Sequence, residues 1–271
     1  MLDEGHWTNW LTIVDDYARI EPLVTAIVER GRQVGPHPPR LPDGSELYTI
    51  ASPETPLCVL ILIKSTADAN APREIFSSYP FATKGVCHRL IVDEIIPWPD
   101  GGEAWIKAGL ASFDGSELTF FDPRFYMDRT RLQVGTEADF ILAGLAYTAQ
   151  VAHPEPVLIT DPDKIRAMRG RDRADDLSPI EIRGEGGTIL LPDSKLEPDG
   201  YQFQGPVKDI TAFEVFGRNI SRIRITMTRE LEPVTDIDID LYVAERAWQS
   251  AERPQSGSDL QGLMWLQGYL A

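Results

Sequence analysis

Tyr201-Gln-Phe-Gln-Gly-Pro-Val-Lys-Asp-Ile210 begins a stretch of this sequence that ends at Leu263-Met-Trp-Leu-Gln-Gly-Tyr-Leu270, and an earlier stretch has the same layout. The earlier stretch begins at Val92-Asp-Glu-Ile95 and ends at Phe140-Ile-Leu-Ala-Gly-Leu-Ala146. Both beginnings contain valine, a charged residue, an acid and isoleucine. Both ends contain two large apolar residues, a leucine, a small or polar residue and a glycine. Two copies of one small β module would explain the match.

The composition is that of a globular protein with a strong negative charge. The chain has 271 residues, of which 42% are hydrophobic and 25% are charged, so it is long enough for two small domains or for one domain with a sizeable core. The formal net charge of −16 disfavours broad electrostatic binding to nucleic acid or to an anionic membrane, because both need a basic surface. A basic protein partner is compatible with this charge.

The cysteines and the N-terminus predict a cytoplasmic protein without a membrane segment. Cys58 and Cys87 are the two cysteines, which is too few for a disulfide framework or a cysteine metal site. The first residues, Met-Leu-Asp-Glu-Gly-His, lack the basic start and the apolar core of a signal peptide. The longest apolar run stops at Lys64, far short of the roughly 20 residues that a membrane helix needs.

Changes in periodicity and composition divide the chain into four predicted regions. Residues 1–85 are expected to form a helical cap followed by the first strands, with a loop or short helix over 67–77. Residues 86–150 and 179–271 are expected to form the two β modules. Residues 151–178 are predicted to be a charged linker with one short helix, because 161–176 contains five basic and five acidic residues and no net charge.

The β modules resemble the oligonucleotide/oligosaccharide-binding (OB-like) barrel, in which short strands alternate with glycine turns such as Pro99-Asp-Gly-Gly102. The phrases at 197–207 and 262–270, together with 118–122 and 135–147, also resemble an uncharacterised bacterial family. The resemblance covers most of residues 90–271. It implies a mainly β protein with two tandem OB-like barrels behind a small α-helical N-terminal part. No activity is attached to that family, so the resemblance implies no catalytic residue.

A hairpin in the second module carries charged residues on one face. Asp236, Asp238 and Asp240 alternate with apolar residues, and a turn near residue 232 would place Arg224 opposite Asp240 and Arg222 opposite Tyr242. Alternate residues of a strand lie about 6.5–7 Å apart, so only adjacent aspartates could share a metal ion. The sequence favours cross-strand ion pairs, each contributing roughly 0.2–1 kcal/mol, and a metal site is the alternative interpretation.

Aromatic residues crowd the first module and could form a stacking platform for bases or a peptide. Packing in the core is the competing interpretation. Residues 93–122 contain seven acids and one lysine, which would repel a phosphate backbone. The predicted partner-binding residues are the following: Trp98, Trp105, Phe121, Arg124, Tyr126, Arg218, Arg222 and Arg224.

The sequence contains no nucleophile elbow, phosphate-binding loop or dinucleotide-binding fingerprint. Its four histidines lie far apart and predict no zinc site, so no catalytic residue, cofactor or metal ligand is assigned. The leading hypothesis is a non-enzymatic interaction protein whose OB-like modules bind a protein or peptide partner. One alternative is a single-stranded nucleic-acid-binding protein that uses Trp98, Trp105, Arg124 or the strand from Arg218 to Arg224. The other is a metal-dependent enzyme with an acidic site at Asp236–Asp240 or near Asp122.

Overall fold

The computed structural model describes residues 7–33, 40–41, 43–52, 56–65, 73–99, 101–113, 115–169, 176–182, 184–231 and 234–271. The protein is mainly β, with a small helical part near the N-terminus. Its helices are α1 (Trp7–Trp10), α2 (Ile20–Arg30), α3 (Phe125–Asp128) and α4 (Pro162–Arg169). Its strands are β1 (Arg32–Gln33), β2 (Glu46–Ala51), β3 (Leu57–Ser65), β4 (Glu74–Ala82), β5 (Val86–Pro97), β6 (Ala104–Leu110), β7 (Leu118–Asp122), β8 (Glu137–Ala152), β9 (Val157–Ile159), β10 (Ile180–Ile182), β11 (Ile189–Pro192), β12 (Gly200–Val215), β13 (Arg218–Leu231), β14 (Val234–Ala244) and β15 (Asp259–Leu270).

The described strands form three sheets. Strands β1 to β4 form an antiparallel sheet in sequence order, and β9 pairs with β10 in a two-stranded ribbon. The other nine strands form one large sheet. Within it, the pairings close into two rings of five strands, β5–β6–β7–β15–β8 and β12–β13–β14–β8–β15. Both rings contain the central pair β8–β15.

The two rings have the same pairing pattern. In each, the first strand pairs antiparallel with the second and with the last strand of its own module, and the third strand pairs in parallel with the last strand of the other module. Each ring also has a register shift in its first strand, between Val92 and Glu94 in one and between Val207 and Asp209 in the other. The two Val-charged-acid-Ile segments of the sequence therefore contain corresponding β-bulges, which bend a strand. Apart from β10, the described strands of both predicted modules belong to one sheet, and two tandem OB-like barrels stay a prediction.

Two buried clusters lie on opposite faces of this sheet. Leu266 and Ile225 belong to the cluster inside the rings. Trp265 and Tyr269 belong to the cluster between the large sheet and the N-terminal part, where they meet residues such as Trp10. Alternate strand residues point to opposite faces, so β15 contributes side chains to both cores.

Gln267 joins the N-terminal sheet to the large sheet. Its side chain is buried, donates to the carbonyl of Pro80 at 2.8 Å and accepts from the N–H of Ala82 at 3.1 Å. Just after β4, the hydroxyl of Tyr269 donates to the carbonyl of Thr83 and the hydroxyl of Tyr242 donates to the carbonyl of Lys84. Strand β4 lies at the end of the four-stranded sheet, so Gln267 satisfies backbone groups of the buried Pro80 and Ala82 that would otherwise lack a partner.

Of two local predictions, one is wrong in part and the other is confirmed. The loop or short helix expected over 67–77 is wrong for 74–77, which belong to β4. Residues 67–72 of that prediction lie outside the described residues. The buried Ser77 and Ser78 obscured the strand, because polar side chains interrupt the apolar run that predicts one. The short helix expected within 151–178 is confirmed as α4, and β9 precedes it.

Candidate functional site

The aromatic residues of the first module form one cluster that is partly in the core. The rings of Trp98 and Trp105 lie 5.3 Å apart, and Trp98 lies 6.4 Å from Phe121. Phe121 is fully buried and Tyr126 is 2% exposed, so the structure places these two predicted partner-binding residues in the core. Trp98 and Trp105 are half-buried and are the members of the cluster that reach the surface.

Asp199 connects this cluster to the central strand pair. Its Oδ2 accepts from the indole Nε1 of Trp105 at 3.0 Å and from that of Trp265 at 2.7 Å. The carbonyl of Asp199 accepts from the N–H of Leu266. A buried carboxylate with two indole donors satisfies groups that apolar surroundings would leave unpaired, so this contact ties the half-buried Trp105 to the buried Trp265.

A buried acid lies next to α3. Burial raises the pKa of Asp122 to about 7. The backbone N–H of Arg124 donates to Oδ1 at 2.8 Å and opposes this rise, because it stabilises the ionised carboxylate. The nearby carboxylate of Asp128 adds to the upward shift, while Asp128 itself forms an ion pair with Arg131 at 2.9 Å. The partly buried Arg124 lies over the ring of Tyr269 at 5.2 Å. This arrangement can hold a proton near neutral pH, as an acid in a nonpolar environment does.

The charged hairpin has the register that the sequence predicted. Arg224 lies opposite Asp240 and Arg222 lies opposite Tyr242, so both predicted pairs are confirmed. Arg224 makes two hydrogen bonds to the buried Asp240, at 2.9 and 3.1 Å. Two-point contacts of this kind are among the stronger ion pairs.

The other carboxylates of the row are also engaged by cations. Arg229 lies 2.5 Å from Asp236, and Lys208 lies 2.7 Å from Asp238. Arg218 pairs with Asp15 at 2.8 Å instead of with the row. The ion-paired interpretation of the hairpin is confirmed. In the part of the chain that the structure describes, no group of three or more histidine, cysteine, aspartate or glutamate residues is placed to hold a metal ion.

Strand β11 is an exposed edge. Over the described residues, it is the one strand of the large sheet with a single neighbour, β12. The side chains of Ile189 and Leu191 are 42% and 56% exposed. The ribbon β9–β10 adds Val157 and Leu158, each 60% exposed, and Gly184 of the connection to β11 lies against Pro154. A strand with one open edge and exposed apolar side chains is a template for another strand.

The sequence predicted a strand at 188–191 and gave one signal of its exposure. Three consecutive apolar residues end at Pro192, and proline within a sheet is confined to edges, strand ends and bulges. The closure of the other eight described strands of the large sheet into rings, which leaves β11 as the edge, depends on pairings between distant residues. No local pattern could have shown it.

Comparison with protein-family models, with curated proteins and with solved structures finds no match for this chain. The resemblance to an uncharacterised bacterial family therefore stays a prediction. None of the described helices combines the length and the apolar character needed to cross a membrane.

Proposed function

We propose that this chain is a non-enzymatic binding protein whose two tandem OB-like modules take a protein or peptide partner. In this proposal an extended segment of the partner adds to β11 as a further strand. The observation that carries it is the exposed edge of β11, with Ile189 and Leu191 facing solvent.

The matched rings support the OB-like part of the proposal. Each ring has five strands, and each has a bulge at the corresponding place in its first strand. A five-stranded Greek-key barrel is the OB-like architecture. Fold alone does not imply function, so the support for a partner site comes from the residues of β11.

The chemistry of β11 favours an extended peptide as the ligand. Strand addition supplies main-chain hydrogen bonds, and alternate side chains supply specificity. Ile189 and Leu191 lie two residues apart and present apolar surface, so they suit a partner segment with alternating apolar residues. The formal charge of −16 favours a segment with basic residues among them, because opposite charge speeds encounter.

The test is a native-lysate pull-down that compares three forms of the protein. The double variant I189K/L191K places two cations on the exposed strand, where they should be tolerated by the fold and should disfavour pairing. V234K is the matched control, because Val234 is 72% exposed and belongs to β14. Mass spectrometry and a nucleic-acid assay of each eluate identify what is bound.

The proposal predicts that the wild type and V234K each recover a stoichiometric protein partner. The amount of that partner recovered by I189K/L191K should be lower by about tenfold or more. Equal recovery by all three forms would show that β11 is not the site. A wild-type eluate with nucleic acid in place of protein would overturn the proposal in favour of a single-stranded nucleic-acid binder. An eluate without any stoichiometric component would also overturn it.

A further inference from the structure

A cavity of about 350 Å³ opens on the surface of the large sheet, over β8, β12 and β15. Its volume is within the range of small-ligand sites. Leu260 and Phe203 point into the rings, so their neighbours Gln261 and Gln202, which line the cavity, point away from the rings, because alternate strand residues face opposite sides. The cavity therefore lies on the outside of the rings.

The floor of the cavity is a strip of β15 between two covered ends. At one end, the buried side chain of Asp259 accepts from the N–H of Gly186 at 2.8 Å. At the other end, Trp265 is fully buried in the cluster between the large sheet and the N-terminal part. Gln261 and Leu263 lie between them on the same face and are half-buried. A ligand can therefore reach these two residues.

The lining is polar but carries no charge. None of the described residues that line the cavity is charged, although 25% of the chain is. An ion would lose its water there without gaining a counter-charge, so charged ligands are disfavoured. The polar side chains of the lining are four amides and one hydroxyl, those of Gln150, Gln202, Gln249, Gln261 and Thr148.

Two of the amides are open to a ligand. Gln150 and Gln261 lie opposite each other in the central strand pair, and neither side-chain amide has a hydrogen bond to the residues that the structure describes. Gln202 donates from its amide nitrogen to Asp193 at 2.8 Å, which leaves its amide oxygen as an acceptor. Since each free glutamine amide offers two donors and an acceptor, the cavity presents donors and acceptors side by side.

The first ring has ion pairs at the corresponding place. In the repeated layout, Glu137 and Asp139 hold the positions of Gln261 and Leu263. Both acids bind Arg89, at 3.0 and 3.2 Å. The architecture therefore accommodates charged residues there, and the packing of the sheet does not by itself explain the uncharged lining of the cavity.

We propose that this cavity binds a neutral oligosaccharide, with Gln150 and Gln261 as its principal hydrogen-bonding residues. A sugar hydroxyl both donates and accepts hydrogen bonds and so matches a row of amides. Leu263 offers apolar contact to the C–H groups of a sugar ring. From Gln202 to Gln249, whose N–H binds the carbonyl of Ala149 in β8, the lining crosses three strand spacings of about 4.8 Å, which suits a ligand of more than one ring.

The same surface disfavours two other ligands. The backbone of β15 at Gln261–Leu263 already pairs with β12 on one side and β8 on the other, so an extended peptide finds no open edge there. Nucleobases bind by stacking on aromatic rings, and the described lining residues include no aromatic one. The site is thus distinct from the open edge of β11 and takes a different class of ligand.

Isothermal titration calorimetry tests this proposal with three neutral trisaccharides and one acidic trisaccharide. The neutral probes are maltotriose, cellotriose and triacetylchitotriose, and the acidic probe is trigalacturonate. The variants are Q150A/Q261A, which removes both open amides, and Q261E, which keeps the shape of the side chain and introduces the acid found at the corresponding place of the first ring. Q133A is the matched control, because Gln133 is exposed and lies outside the cavity.

The proposal predicts that at least one neutral trisaccharide binds the wild type and that trigalacturonate binds about tenfold more weakly or not at all. Q150A/Q261A and Q261E should each lower the affinity for the neutral sugar by about tenfold or more, because hydrogen bonds to it are lost. Q133A should bind as the wild type does. The thermal midpoint of Q261E should stay near that of the wild type, so the loss of affinity reports on the site and not on the fold.

Three results would overturn the proposal. The first is that none of the neutral trisaccharides binds the wild type. The second is that trigalacturonate binds as tightly as the neutral sugars do. The third is that a neutral sugar binds Q261E and Q150A/Q261A as tightly as the wild type, which would place it elsewhere on the protein. If Q150A/Q261A fails to fold, Q261E decides, since it preserves the size of the side chain.

Discussion

Gln267 lies directly opposite Ala143 in the central strand pair, and the two residues hold the same place in the two copies of the repeated layout. Around them the pairing is reciprocal, since Leu142 lies opposite Gly268 and Leu266 opposite Gly144. The rings are therefore arranged about an approximate two-fold axis. Gln267 departs from that symmetry, because its amide binds the backbone of β4 and Ala143 has no such group.

The first prediction concerns this amide. Gln267→Leu leaves the carbonyl of Pro80 and the N–H of Ala82 buried without a partner, so the free energy of unfolding should fall by about 2–5 kcal/mol. Urea unfolding measures the loss. Gln261→Leu is the control, since Gln261 lies on the same strand and is half-buried. Equal stability of the two variants would show that Gln267 does not hold the N-terminal sheet.

The second prediction compares the two glycines of the central pair. A Cβ at Gly268 would lie 2.6 Å from atoms of both Leu142 and Phe120, and a Cβ at Gly144 would lie 2.6 Å from the sulfur of Met264. A methionine side chain adapts more easily than an aromatic ring in a packed core. Gly268→Ala should therefore destabilise the protein by about 1–3 kcal/mol and Gly144→Ala by less, measured by thermal unfolding. The reverse order would contradict the packing described for the central pair.

The third prediction concerns Asp199. Asp199→Ala removes the acceptor of both Trp105 and Trp265, so unfolding should become easier by about 2–5 kcal/mol. Tryptophan fluorescence should also change, because two indole groups lose a hydrogen bond. Asp199→Asn keeps one acceptor oxygen and should lose less. If Asp199→Ala has the fluorescence spectrum and the stability of the wild type, the hydrogen bonds of Asp199 to Trp105 and Trp265 are refuted.

The fourth prediction concerns pH. In the unfolded chain, Asp122 has an ordinary pKa near 3.9, whereas burial raises it to about 7 in the folded protein. The folded state binds the proton more tightly, so ionisation of Asp122 lowers stability as the pH rises from about 4 to about 7, by roughly 4 kcal/mol at 1.36 kcal/mol per pKa unit. Below and above that window the group contributes no further change.

Asp122→Asn should remove this loss, so the variant should be more stable than the wild type at pH 8, as measured by urea unfolding across pH. The groups that act on Asp122 are Asp128 and Arg124. Asp236→Asn is a control of opposite sign, since Arg229 and Lys208 lower the pKa of Asp236 and its ionised form stabilises the fold at neutral pH. Parallel pH profiles for Asp122→Asn and the wild type would refute the raised pKa.

Local sequence patterns predicted the features that depend on neighbouring residues. Alternation with period two set the register of β13 and β14, so Arg224 was correctly placed opposite Asp240. The repeated Val-charged-acid-Ile segments, matched from the sequence as the starts of two similar modules, lie at two equivalent bulges in the structure. These features follow from the pleat of a strand and the length of a turn.

Features that depend on distant residues were out of reach of the sequence. Gln267 contacts residues almost 190 positions away in the chain, and Phe121 is buried because Trp265 and Tyr79 pack against it. The aromatic residues and arginines that the sequence named as partner-binding stay a prediction, and the strand at 188–191 was predicted without its place at the edge of the sheet.

Amide hydrogen exchange of β11 tests the proposed function most directly. In the free protein, the outward N–H groups of Ile189, Leu190 and Leu191 should exchange fast, because β12 pairs with one side of β11 alone. With the captured partner bound, strand addition should slow the exchange of these groups in the wild type, while I189K/L191K shows no slowing. Unchanged exchange of β11 in a stoichiometric complex would contradict the proposal.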